Sequence, residues 1–131
     1  MRERVAAIIV KNGKILLVSD DISNKFYPPG GKIEEGESHE EALTRELKEE
    51  LNVKLISSKF LIMCEGLHVA SGLPQKEYCY LVKVKGSPTL SKEIFEIRWL
   101  SKKGLLNGNL PMFDYYKKSL FPFLEKEGYI R

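Results

Sequence analysis

The chain has 131 residues, 43% of them hydrophobic and 30% charged, with a formal net charge of +3. That length suits one domain with a proper core, so one domain over residues 1–131 is expected. No apolar run reaches the ~18 residues of a membrane span, and no basic helix or aromatic-basic motif points to duplex nucleic acid. Met1-Arg2-Glu3-Arg4-Val5 enters a strand-like pattern at once, without the hydrophobic region of a signal peptide. Cys64 and Cys79 form no close metal-type pair in sequence, and His39 and His68 are too scattered for a zinc site. A reduced cytoplasmic setting is expected. The small positive excess reads as an ordinary Lys-rich surface that also favours polyanionic ligands.

Arg4 to Val10 and Lys14 to Ser19 are apolar runs joined by Lys11-Asn12-Gly13, and Asn-Gly between such runs predicts a hairpin. Ser19 to Lys25 is polar and loop-like. Phe26-Tyr27 leads into Pro28-Pro29-Gly30-Gly31, where the prolines stiffen the backbone and the glycines permit close approach. On its own such a cluster predicts only a tight turn. Glu34-Glu35-Gly36-Glu37 follows as a loop, and Ser38 with Glu41 forms a capping box that starts a helix at His39. Leu43, Leu47 and Leu51 form its buried stripe. Glu46, Glu49 and Glu50 lie beside that stripe, where i, i+3 and i+4 carboxylates share a face and are expected to point along the sheet surface, not into bulk water. Like charges so placed cost roughly 0.2–0.5 kcal/mol per pair. A cation over the three offsets that repulsion. Oxygen-only ligands favour Mg2+, with Mn2+ or Ca2+ as substitutes, and carboxylate-held Mg2+ completes its shell with water and phosphate oxygens.

Val53 to Glu65 is strand-like with a bulge near Ser57-Ser58, Gly66 to Lys76 reads as a loop, and Glu77 to Lys85 resumes a strand. Tyr78, Tyr80, Val82 and Val84 alternate there with Glu77, Cys79, Leu81 and Lys83. After Gly86-Ser87-Pro88, Glu93 to Leu100 reads as a strand carrying Glu93 at its loop end and Glu96 within. Leu105 to Leu110 reads as a loop, with Pro111 opening a final helix that Pro122 interrupts or kinks. Phe113, Tyr116, Leu120 and Leu124 recur at helical spacing as core packing.

Gly31, five residues, Glu37, seven residues, then Arg45-Glu46-Leu47-x-Glu49-Glu50-x-Asn52-Val53 resembles the Nudix box, Gly-x5-Glu-x7-Arg-Glu-U-x-Glu-Glu-x-Gly-U, with U a bulky apolar residue. The match spans 23 residues and departs at one position, where Asn52 replaces the final glycine. That glycine ends the helix in a left-handed conformation, which Asn also adopts. The resemblance implies an α/β Nudix fold, an α/β/α sandwich with a mixed β-sheet between the box helix and the C-terminal helix. It also implies Mg2+-dependent hydrolysis of a nucleoside diphosphate linked to another group, giving a nucleotide and a phosphorylated product or pyrophosphate.

By the same resemblance the Gly31 carbonyl, Glu46, Glu49 and Glu50 hold metal, Gly30 shapes the phosphate site, and Arg45 pairs with Glu37 to orient the ligands. Glu46 is ligand or general base. Glu93, with Glu96 in reserve, is an additional ligand or base. The resemblance further implies a small nucleotide substrate and is compatible with a homodimer. Neither the proline nor the tyrosine that marks ADP-ribose or dinucleoside polyphosphate hydrolases downstream of the box is present. Of the substrates the resemblance implies, ADP-ribose among them, nucleoside triphosphates (oxidised ones included) and nucleotide sugars compete equally. Phe26, Tyr27, Tyr78 and Tyr80 are base-stacking candidates, though packing explains each as well. Two other readings use the same scaffold. A non-catalytic nucleotide-binding module would have lost box carboxylates, which this chain keeps. An isopentenyl-diphosphate-isomerase-type enzyme would recruit Cys64 or Cys79, against the complete box and short chain.

Overall fold

The computed structural model describes residues 2–20, 24–68, 71–91, 94 and 96–131. In chain order they form β1 (Arg2–Ile8), β2 (Val10–Lys11), β3 (Lys14–Ser19), β4 (Phe26–Tyr27), β5 (Gly30–Lys32), α1 (His39–Leu51), β6 (Lys54–Leu67), β7 (Pro74–Lys85), β8 (Glu96–Leu100), α2 (Lys102–Asn107) and α3 (Phe121–Lys126). A π-helical turn, Tyr116–Leu120, leads into α3.

The strands fall into two four-stranded sheets. The first is mixed, in order β5-β1-β7-β6, with β1 and β7 parallel. In the second, β3 pairs antiparallel with β2, β4 and β8. The chain changes sheet at Ile9, whose carbonyl accepts the Leu16 N–H at 3.1 Å. The expected hairpin forms between β2 and β3, with Asn12 and Gly13 at φ of 52° and 75°. Positive φ at both central residues matches the right-handed strand twist.

Alternation along β1 and β3 builds a core on each side of the sheets. Val5, Ala7, Leu16 and Val18 pack with Leu43, Leu47 and Leu51 of α1. Ala6, Ile8, Ile15 and Leu17 pack with Leu120, Phe121 and Leu124 at the other end of the chain. This is the α/β/α sandwich, and each fully buried Leu or Ile supplies roughly 1.5–3 kcal/mol. Among the described residues, no helix is long and apolar enough to cross a membrane.

Several local expectations are corrected. β6 and β7 run to Leu67 and from Pro74, so the loop between them is shorter than Gly66 to Lys76. Gly66 persists in the strand because the Tyr115 ring fills the space a Cβ would take. Pro74 is tolerated as the first residue of β7. The bulge near Ser57 is present, and a second register shift lies between Phe60 and Ile62. Leu105, read as loop, is fully buried within α2, and that burial outweighs the flanking glycines. Pro111 does not open the last helix. Its carbonyl accepts the Phe26 N–H at 2.8 Å, Met112 bridges Phe26, and helical residues start at Asp114. Pro122 does interrupt the helix. Its ring would meet the carbonyl four residues back, and the turn before it widens so that the Phe121 N–H reaches Tyr116.

Candidate functional site

Local sequence sets α1 in place. The Ser38 hydroxyl accepts the Glu41 N–H at 3.1 Å and the Glu41 carboxylate accepts the Ser38 N–H at 3.0 Å, completing the capping box. Asn52 ends the helix at φ 55°, the left-handed conformation expected of it.

Arg45 organises the carboxylates around it. Its Nε and Nη2 donate to the two oxygens of Glu37 at 2.8 and 2.9 Å, a bidentate pair. Nη1 reaches Glu46 at 2.7 Å and, more loosely, Glu49 at 3.5 Å, while Nη2 also donates to the Lys32 carbonyl at 3.0 Å. The pair with Arg45, then the Glu34 N–H, draws the Glu37 pKa down to about 2. Glu46 is shifted the other way: desolvation raises its pKa against the pull of Arg45. A depressed folded-state pKa stabilises the fold above the unfolded carboxylate range and loses that contribution as pH falls through the folded value. The stability difference between the native chain and Glu37→Gln should therefore be full above pH ~4.5 and vanish towards pH 2. Denaturant titrations of both proteins across that window check it.

The Pro28–Gly31 turn faces this set. Gly30 pairs with Ala6 and Gly31 with Val5 across β1. The Gly30 N–H donates to Glu50 at 2.8 Å, and Glu50 is 4% exposed. A side chain on Gly31 would collide with the Glu46 carboxylate, and one on Gly30 with the Val5 carbonyl. Gly30 also has φ +153°, which L residues rarely adopt. Gly30→Ala should destabilise the fold by about 2–3 kcal/mol, read as a lowered urea midpoint at unchanged slope.

The helix and turn thus bring together Gly30, Gly31, Glu37, Arg45, Glu46, Glu49 and Glu50, as the spacing anticipates. One detail differs: Glu49 does not lie along the sheet surface, since its side chain is 54% exposed. Glu93 lies outside the described residues. Glu96, the reserve, sits on β8 and pairs with Arg98. Among the described residues no three His, Cys, Asp or Glu side chains converge on one point. Glu46 and Glu49 turn towards Arg45 and Glu50 towards the Gly30 amide. The donor set still fits a hard divalent ion. Its side chains are oxygen-only, they rise from one helical face, and the missing Cβ of Gly31 leaves a cradle against Glu46.

Sequence reasoning missed a buried polar group under the same turn. Arg4 and Glu77 stand opposite each other in the parallel β1–β7 register and form an ion pair, with Glu77 at 0% exposure. The Tyr116 hydroxyl donates to Glu77 at 2.9 Å, and Arg4 donates to the Pro28 carbonyl at 2.8 Å. The available signal was a charged residue in each of two strand-like runs. The stacking candidates find packing partners. Phe26 is buried, Tyr27 donates to Asp20, Tyr78 donates to Glu3, and the Tyr80 hydroxyl meets the His39 ring at 2.7 Å. Cys64 and Cys79, distant in sequence, share one core cluster on β6 and β7, and Cys79, with the Ser119 hydroxyl that donates to Cys64 at 3.3 Å, lowers the Cys64 pKa. Both thiols belong to the core under α3, on the face away from α1.

Comparison with known proteins follows the same lines. The NUDIX domain model matches residues 1–122. The CTP pyrophosphohydrolase of Escherichia coli (strain K12) is 42% identical over 65 residues, 47% of this chain and 48% of that protein. The chain thus matches about half the length of that curated relative. The MutT NUDIX hydrolase from Burkholderia pseudomallei aligns at TM-score 0.81 and 23% identity, over 94% of this chain and 97% of that one. The E. coli ORF135 protein aligns at TM-score 0.79 and 29% identity, over 97% and 91%. MutT from Methanosarcina mazei Go1 gives 0.82 and 23%, over 96% and 94%. At under 25% identity, the Burkholderia and Methanosarcina structures speak for the fold alone. The chain belongs to the Nudix family, and its architecture is that of the MutT-like members.

Proposed function

We propose that the chain is a Mg2+-dependent nucleotide pyrophosphohydrolase, with Mn2+ as a working substitute. The observation that carries this reading is that Glu50 accepts the Gly30 N–H and Glu46 lies against Gly31, with Glu46 held by an Arg45 that Glu37 fixes. The residues proposed to hold metal are Glu46, Glu49, Glu50, the Gly31 carbonyl and Glu93. Bound there, the ion would neutralise the diphosphate and acidify the attacking water.

The protein's own part is positioning and proton transfer. Arg45, fixed by both oxygens of Glu37, holds Glu46 in the cleft and keeps Glu49 within reach. Gly31 leaves room for the Glu46 carboxylate beside the backbone. Burial raises the Glu46 pKa, which suits it to take a proton from water attacking phosphorus. Glu93 is the second candidate for that base, and Glu93→Gln against Glu46→Gln separates the two by their pH–rate profiles. Glu50, accepting the Gly30 N–H, locks the turn to the helix.

A nucleoside triphosphate is the substrate we propose first, because the partial relative is named for CTP. Nucleotide sugars, ADP-ribose and oxidised nucleotides follow. The wider proposal is one domain over residues 1–131, acting in the cytoplasm on a small nucleotide, with a homodimer to be checked by sedimentation. Product analysis across such a panel, with magnesium and with chelator, tests the activity. Magnesium-dependent release of a nucleoside monophosphate and pyrophosphate from CTP is expected. Binding of every member without turnover would overturn the hydrolase reading in favour of a binding module.

A further inference from the structure

We propose that Arg4 is a positioning residue for the Pro28–Gly31 turn and, through that turn, for Glu46 and Glu50, with Glu77 and Tyr116 holding Arg4 in place. The proposal rests on the metal-dependent reading above.

A buried ion pair is weak evidence for stability. Apolar residues of similar volume often replace one without loss, whereas removing a single partner is costly. Arg4 and Glu77 are both buried and cross-strand neighbours, so the pair calls for a reason beyond the fold. The remaining Arg4 contacts supply it. Nη2 donates to the Pro28 carbonyl at 2.8 Å, and the guanidinium lies 5.3 Å from the centre of the Tyr27 ring. Pro28 and Pro29 have no N–H groups, so the first half of the turn is fixed by its carbonyls. Pro28 is held by Arg4, and Pro29 accepts the Ala7 N–H at 2.8 Å. The next residue, Gly30, donates to Glu50, and Gly31 lies against Glu46. A shift at Pro28 therefore passes directly to both carboxylates.

The other end of the tie is equally specific. Glu77 Oε1 receives both Arg4 and the Tyr116 hydroxyl, while Oε2 has no hydrogen-bond partner among the described residues. Tyr116 opens the π-helical turn, a feature that often occurs at functional sites. The distorted approach to α3 is thereby connected through Glu77 and Arg4 to the turn that faces α1.

The test uses the full chain with Arg4→Met/Glu77→Leu, which removes both charges together, and Arg4→Lys, which keeps a charge for Glu77 but loses the guanidinium fork. Three readouts are compared with the native protein: hydrogen exchange at the Gly30 amide, Mn2+ affinity, and the division of any kinetic loss between kcat and KM. The expectation is about tenfold faster Gly30 exchange, about tenfold weaker Mn2+ binding and a similar fall in kcat, with KM within about threefold. Arg4→Lys should show the same pattern and carries the test if the double variant does not fold. Native Gly30 protection and native Mn2+ affinity in either folded variant would overturn the positioning role. If the native protein itself binds no Mn2+ and cleaves no nucleotide, the reading beneath the proposal falls and takes it along.

Discussion

Glu50→Gln should reduce nucleotide hydrolysis by about 10³-fold while leaving the thermal transition close to the native value. The catalytic loss follows from removing one charged donor from the set that faces the Gly30–Gly31 turn. A change of several kcal/mol in transition-state charge stabilisation corresponds to that factor. The stability expectation has a separate origin. Glu50 is buried and accepts the Gly30 N–H at 2.8 Å, and glutamine keeps an acceptor oxygen there. Removing the charge relieves like-charge repulsion along the helix face, worth roughly 0.2–0.5 kcal/mol, and gives up the attraction to Arg4, so the two offset. Single-turnover rates and calorimetry on the same preparations separate the two effects. A parallel loss of activity and melting temperature would make Glu50 a structural residue.

Glu77→Ala should destabilise the protein by about 3–5 kcal/mol, because it leaves Arg4 buried without its counter-charge. Tyr116 also loses its acceptor, since its hydroxyl donates to the same carboxylate at 2.9 Å. At roughly 3 °C per kcal/mol for a domain of this size, the melting temperature should fall by about 10–15 °C. Arg4→Met/Glu77→Leu should by contrast recover most of that loss, because no guanidinium is left stranded, and fall short of the native protein only through the unpaired Tyr116 hydroxyl and Pro28 carbonyl. The contrast between one deletion and the paired replacement is the informative quantity. Equal and small shifts for both would place the pair in contact with water.

The parts of this structure that were legible in the sequence are local. Ser38 and Glu41 fix the start of α1 within three residues, and Asn52 ends it through its own backbone preference. The reach of Arg45 back to Glu37 follows from a spacing inside one loop and two helical turns. The parts that were not legible depend on partners far apart. Arg4 and Glu77 are separated by 73 residues, and only the parallel register brings them face to face. The loop reading of Leu105 failed for a related reason, since its burial is decided by α3 and not by neighbouring glycines. Asp, Glu and Arg also read as surface residues by default. That default fails for Arg4 and Glu77, which the β1–β7 pairing buries together.

The central claim is that the α1 carboxylates facing Gly30 and Gly31 hold a divalent ion. Mn2+ binding followed by electron paramagnetic resonance, on the native protein beside Glu50→Gln, tests it most directly. The account predicts that native protein removes the free-ion signal at micromolar concentrations and that the variant leaves most of it. Equal binding by the two proteins, or no binding by the native one, would contradict it.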